Sequence, residues 1–532
     1  MADTPKKQTF LHGTMLLALS TAIVKVIGAF YSIPLKAIIG DQGFGYYSTA
    51  YEIYTILLMI STAGLPVAMS RMISQANSLG NNRQVRKIYT VSRTIFLTLG
   101  LIGALLMTLF CRQLAEFQKQ PDAWSAIGTL GPCCFLICLM STYRGFFQGQ
   151  SNMAPTSVSQ VLEAACKLIV GIAAALLIKT YLHSIPLAAG GAIFGVTMSC
   201  LISSFYLNHC FRKAYKDMPV SSEEVSSGKD IAKGLLAIAV PITLGSAGLQ
   251  ILTALETKIY MTQLLEFMTQ DAADTQKGIY NFIQKIFNMP CAFITPITIS
   301  AIPAITAQLT TKQFQAAKAT EESAARVTGL ISAPCAVGLA VLAEPVTALL
   351  GGYSGEKLAL ATQLMTVLGI CIVFNAVVLL TNAIMQAHGH VNLPVVNMLV
   401  GGVLKLVAIA ILTGNPHIGI LGTPIGTLMC YLCITILNLI SMRRVFEHPP
   451  AVIRNLLRSI LAAVIMGAAV YGSWYGLKML LGADLSRIIA CGVPLMVGVI
   501  VYVVAAVKLK AITREDCMLL PKGERIAHIL HL

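Results

Sequence analysis

This sequence predicts an all-α integral membrane fold of fourteen transmembrane helices: two parallel six-helix repeats followed by two C-terminal helices. Three observations predict it. Hydrophobic residues make up 56% of the 532-residue chain and charged residues only 11%, against about 25% charged in a soluble domain. Fourteen apolar stretches follow one another, each near the roughly 20 residues that cross a bilayer as a helix. The second half of the chain also echoes the first, and such self-similarity governs how the rest is read.

The stretches run 11–33, 47–70, 89–110, 126–147, 157–179, 186–208, 235–264, 279–305, 325–350, 360–386, 395–413, 418–441, 459–481 and 486–508. Lys6 and Lys7 precede the first. No small-residue cleavage site follows at signal-peptide distance, so an uncleaved span is expected. With the N-terminus inside, the inner connections hold most of the Lys and Arg, namely Arg71, Arg83, Arg86, Lys87 and Arg93, then Arg212, Lys213, Lys216, Lys229 and Lys233, then Lys312, Lys318 and Arg326, then Arg443, Arg444, Arg454 and Arg458. The outer ones hold only Lys36, Arg112, Lys119, Lys179, Lys277, Lys357, Lys478 and Arg487. Cationic loops stay in the cytoplasm. Both termini are therefore expected there, and the net charge of +15 reads as membrane orientation rather than nucleic-acid binding.

The echoes come in one order. Gln148 and Lys167 are spaced as Gln386 and Lys405 are; Leu65-Pro66-Val67-Ala68 resembles Ile302-Pro303-Ala304-Ile305; Gly191-x3-Gly195-x2-Met198 matches Gly422-x3-Gly426-x2-Met429. They divide the chain into a lobe at 1–208, a polar cytoplasmic linker at 209–234, a second lobe at 235–441, and helices 13–14 with a cytoplasmic tail at 442–532. An even number of spans per repeat gives both repeats one orientation, with the substrate path expected between them. Pro66, Pro290, Pro296 and Pro303 interrupt apolar runs, where bends are expected beside protein or a wet cavity.

Ionisable residues inside spans are functional candidates by default. They are Lys25, Glu52, Arg144, Glu163, Lys167, Glu256, Lys258, Lys285 and Lys405. Glu163 and Lys167 are i,i+4 and so placed to pair with each other. Arg144 sits near a span end, where its long stem can snorkel. Glu256 can bind a coupling cation or proton, or neutralise a lysine; its i,i+2 spacing from Lys258 puts the two on different faces. Lys25 and Lys285 have no acid at i±3 or i±4, and an aqueous cavity shared by the two halves would relieve both. Cations there suit an anionic substrate, since lysine serves phosphate as a point charge. The fourteen cysteines lie mostly in apolar runs as packing residues. None has further metal ligands at suitable spacing, so no metal or other cofactor is expected.

Three segments resemble a known group. Lys25 to Ser74, Arg144 to Lys167 (RGFFQGQSNMAPTSVSQVLEAACK), and the runs from Ala301 and Ala333 are similar to the stage V sporulation protein B group. That group lies in the polysaccharide-exporter branch of the multidrug/oligosaccharidyl-lipid/polysaccharide (MOP) flippase superfamily, with the MurJ-type lipid II flippases. The resemblance implies a MATE/MurJ-like fold and cavity cations at Lys25 and Lys285. It also implies a seventh-span acid, at Glu256, linked with sodium in some relatives. Tyr31 stands where a second first-span cation would fall. Asn397 matches the first residue of an Asn-x3-Asp sodium pattern, but Gly401 does not match the second, and Lys405 nearby opposes a metal cation. Coupling to Na+, to H+ or to the membrane potential stays open.

The function so implied is a flippase for an undecaprenyl-pyrophosphate-linked cell-wall precursor, lipid II first. Its headgroup would sit near Lys25, Lys285, Arg144 and Glu52, in the cytoplasmic membrane of a bacterium. The alternatives are export of another lipid-linked polysaccharide or spore-cortex precursor, and a MATE-like cation-coupled drug antiporter, which would want an acid-dominated cavity. An enzyme is not expected, because no outer loop clusters Asp, Glu and His. The expected partners are the lipid-linked oligosaccharide and membrane lipids, with the chain a monomer and no nucleic acid bound.

Overall fold

The computed structural model describes residues 10–59, 64–216, 218, 224–390, 392–447, 449–482 and 486–511. Among the described residues it is all helical. The helices are α1 (Phe10–Met59), α2 (Leu65–Ser78), α3 (Asn82–Leu109), α4 (Cys111–Phe117), α5 (Trp124–Gly149), α6 (Ala154–Leu182), α7 (Ile185–Lys216) and α8 (Gly228–Leu264). There follow α9 (Gln270–Thr310), α10 (Phe314–Val341), α11 (Ala343–Gly351), α12 (Gly355–Ala387), α13 (Asn392–Thr413), α14 (Gly422–Val445), α15 (Val452–Leu481) and α16 (Arg487–Lys508). By length and composition, ten helices among the described residues can cross a membrane. In lipid every backbone polar group must be satisfied within the segment, which a helix does.

The chain forms two compact units, 1–281 and 282–532. In the first, α6 packs on α7 and α1, α5 packs on α3 and α7, and α8 joins the unit by packing on α1, α2 and α3. In the second, α10 packs on α12 and α15, α13 on α14, and α15 on α16.

The first two expected spans are separated differently from the sequence reading. No loop occupies 34–46; α1 runs through it and breaks only at Gly40, whose φ of 73° and ψ of −176° are non-helical. That region of φ/ψ is open essentially to glycine alone, so one residue does the work of the expected loop. Lys36 and Asp41 bridge the break at 3.2 Å. Pro66 does not bend a helix either: it lies in the first turn of α2, where proline's missing N–H costs nothing.

The connection after α7 is shorter than 209–234, because α7 continues to Lys216 and α8 starts at Gly228. Its described part is tied to the start of α3. Asn81 donates to the Glu224 carbonyl at 2.9 Å, Gln84 exchanges hydrogen bonds with Ser226, and Arg86 donates to the Met218 carbonyl at 2.8 Å. Arg86 also lies 4.7 Å from the Tyr215 ring centre.

The glycine echo has a structural counterpart in each unit. A Cβ on Gly195 would lie 3.2 Å from the Lys167 carbonyl, and one on Gly426 would lie 3.3 Å from the Lys405 carbonyl. In both helix pairs, α6–α7 and α13–α14, a small residue lets the backbones close at the turn that carries an intramembrane lysine. This is how helices associate where no hydrophobic drive exists between them.

Candidate functional site

Two polar constellations form in the first unit. The first is built on α6. Val158, Ile169 and Leu176 are exposed and apolar, whereas Gln160, Glu163 and Lys167 are half-buried. At about 3.6 residues per turn the two sets fall on opposite faces, so the polar set faces away from the apolar surface. Arg144, on α5, reaches Glu163 at 3.0 Å and donates to Ser159 Oγ at 3.1 Å. Ser20 of α1 donates to Gln160 at 3.3 Å.

Glu163 therefore pairs with Arg144 and not with Lys167, contrary to the i,i+4 expectation. The turn between α5 and α6 folds Arg144 back across Glu163, and a bidentate-capable guanidinium is the better carboxylate partner. Lys167 turns instead to α1, where its Nζ lies 5.4 Å from the Tyr31 ring centre and 5.8 Å from that of Tyr51. Tyr31, Tyr47, Tyr51 and Tyr54 form a ladder with successive ring centres 6.0, 5.7 and 5.4 Å apart, and Tyr31 is anchored by donating to the Ala192 carbonyl at 3.2 Å.

The second constellation lies beside the α1 break. Lys277, on α9, is fully buried, 3.7 Å from Glu52 and hydrogen-bonded to Thr49. Glu52 accepts from Thr257 at 2.8 Å. Asp274 accepts from Gln120 at 2.8 Å, from Gln270 at 2.9 Å and from Tyr46 at 3.3 Å. Thr49 also bonds Gln120. Glycines make this closeness possible: a Cβ on Gly278 would stand 1.7 Å from the Asp41 carbonyl oxygen. Glu52 thus belongs to a closed ion-pair network. Lys277 lies just before the apolar run 279–305, and the sequence marks neither it nor Asp274 and Gln120 as site residues. The available signal was Asp274 and Lys277 at i,i+3 followed by Gly278.

The remaining candidates are dispersed. Glu256 is buried and accepts from Tyr280 at 3.5 Å. Lys258 faces elsewhere, 3.8 Å from the Phe117 ring centre, in keeping with i,i+2 spacing. The Lys25 side chain lies outside the described residues. Lys285 and Lys405 are half-buried on α9 and α13 of the second unit. Asn397 is engaged by side chains of α14, donating to Asn438 at 2.9 Å and Ser441 at 3.3 Å, while Asn438 donates to Thr381 and Asn382, both at 2.8 Å. A Cβ at Gly401 would lie 2.4 Å from Ile434, so an acid there would have to displace that side chain.

The second unit also holds a cavity of about 780 Å³ that sequence reading did not anticipate, lined in part by Lys318, Glu321, His388, His390 and Phe446. His388 sits 2.7 Å from Glu321 and stacks on Phe446 at 3.9 Å between ring centres.

Apolar helices with polar, cation-bearing faces turned away from their apolar surface define a multi-pass membrane protein. The profile of the polysaccharide biosynthesis protein family matches residues 10–309, and the chain belongs to that family, within the MOP superfamily flippase group to which its resemblance pointed. The MatE profile matches residues 261–411. Similar proteins from Bacillus subtilis (strain 168) include stage V sporulation protein B, 26% identical over 446 residues (82% of this chain, 84% of that one). Lipid II flippase MurJ of the same organism is 24% identical over 481 residues (86% and 87%). Among solved structures, lipid II flippase MurJ in an inward closed conformation aligns with a TM-score of 0.69 at 13% identity, covering 92% of this chain and 98% of that one. An inward-facing MATE multidrug transporter aligns at 0.64 and 15% identity (80% and 97%). The fold is that of MurJ and MATE.

Proposed function

We propose that the chain is a flippase that moves an undecaprenyl-pyrophosphate-linked cell-wall precursor, lipid II first, across the bacterial cytoplasmic membrane by alternating access. The observation that carries this reading is the polar face of α6 with Arg144 and Lys167, in a family whose relatives include a lipid II flippase. A headgroup bearing pyrophosphate needs cations in a water-poor setting, where each contact gains strength. The apolar lipid chain needs none and can stay in the bilayer. No covalent step is required. The proposal keeps fourteen spans with both termini cytoplasmic.

The test is growth of a strain depleted of its own lipid II flippase. The wild-type chain is expected to restore it. Lys25→Gln and Lys285→Gln are each expected to abolish rescue with membrane levels unchanged, and the Lys→Arg variants to keep part of it, since charge remains but donor geometry changes. Full rescue by both Gln variants would sink the cation-based mechanism. A sporulation-stage precursor is the second reading, favoured by the likeness to stage V sporulation protein B over 82% of the chain. Rescue of a sporulation mutant without rescue of vegetative growth would select it.

A further inference from the structure

The candidate cations of the first unit differ in what holds them. Arg144, Lys277 and Lys36 each have a carboxylate partner, at 3.0, 3.7 and 3.2 Å. Lys167 has tyrosine rings. Glu163, one turn away on the same helix, is taken by Arg144, and among the described residues no carboxylate lies within ion-pair distance of Lys167. An ammonium over a ring face keeps its charge and is positioned by the ring quadrupole. Its three N–H donors remain available to an acceptor. The rings are themselves fixed: Tyr31 is buried and tied to the Ala192 carbonyl, and Tyr51 stacks on Tyr47. Gly171 leaves the room, since a Cβ there would meet the Tyr31 hydroxyl at 2.8 Å. The half-buried ammonium also lies on the face of α6 opposite Ile169 and Leu176, so its exposure is not toward the apolar side.

We propose that Lys167 is a substrate-binding residue, whose ammonium, set on Tyr31 and Tyr51, takes a phosphate oxygen of the lipid-linked substrate. This rests on the flippase reading and deepens it. Arg144 is already partly neutralised by Glu163, whereas Lys167 has no ion-pair partner among the described residues and need break no ion pair. Tyr51, half-buried beside it, presents a ring next to the bound phosphate. Lys167 is thus the residue that registers the anionic part of the substrate, and the arginine pair beside it sets the shape of the polar face.

The experiment uses the full chain in lipid nanodiscs and two probes, undecaprenyl pyrophosphate and undecaprenol, which differ only in the anionic group. The wild type is expected to prefer the pyrophosphate. Lys167→Gln is expected to cut that preference roughly ten- to hundredfold, the worth of one charged hydrogen bond, leaving undecaprenol binding unchanged. Lys167→Arg should restore most of the preference. Lys167→Met, which keeps the stem's packing, is read in the same way should the Gln variant fold poorly. A wild-type preference that survives in both uncharged variants overturns the assignment of Lys167 and leaves the flippase reading standing. Equal weakening of both probes also overturns it, because that marks a packing role. No preference in the wild type overturns the reading on which the assignment rests.

Discussion

The two polar constellations of the first unit use the same residue types and differ in closure. Beside the α1 break, Lys277 is 0% exposed, and Glu52 and Asp274 have donors on several elements. On the α6 face, Glu163 remains 28% exposed, against 17% for Glu52, and Lys167 has no ion-pair partner among the described residues. A buried charge network must be complete, because each unpaired member costs far more than a pair contributes. The closed set therefore reads as a fastener joining the first turns of α9 to α1. The open set has capacity left over, which a binding face requires.

The contrast can be broken most sharply at Lys277. Lys277→Met leaves Glu52 without its cation and is expected to lower stability in detergent by about 3–5 kcal/mol, read as a drop in thermal unfolding temperature. Adding Glu52→Gln should recover part of the loss. An unchanged melting temperature for the single variant would dissolve the distinction between the two sets.

Gly278→Ala follows in size. Its Cβ would meet the Asp41 carbonyl at 1.7 Å, so the helices must part, at about 1–3 kcal/mol as for other overpacked sites. A melt within error of wild type would show that α9 and α1 do not close as described.

The open set should show smaller, specific coupling. In a double-mutant cycle read by thermal unfolding, Arg144→Ala and Glu163→Ala are expected to be non-additive by up to about 1 kcal/mol, given their partial exposure. Glu163→Ala and Lys167→Ala should add. The reverse pattern would restore the i,i+4 pair. Smallest of all is Lys478→Gln. Its bridge to Glu344 at 3.0 Å is exposed, and removal should stay within ~0.5 kcal/mol.

The sequence made the helices legible because lipid enforces long apolar runs; most expected spans lie within observed helices. It misplaced the first loop because Gly40 replaces a whole connection, and a single φ leaves no mark in composition. Most of the charged residues it singled out inside spans, Arg144, Glu163 and Lys167 among them, are indeed polar members of helices. What it could not supply was partner choice. The i,i+4 rule sees one helix, whereas Arg144 arrives at Glu163 from α5. Lys277 was read as a loop cation because it lies just outside an apolar run, although the fold buries it completely. Asn397 carried a motif-like spacing, yet its amide is used within the α12–α14 amide network.

The central claim is that this chain moves an anionic lipid-linked headgroup across a bilayer. Its most direct test is the transbilayer rate of a fluorescent undecaprenyl-pyrophosphoryl disaccharide in vesicles holding the purified chain, compared with empty vesicles and with the Lys25→Gln chain. The account predicts rapid redistribution only with the wild type. A wild-type rate equal to that of empty vesicles, with the protein folded and inserted, would contradict it.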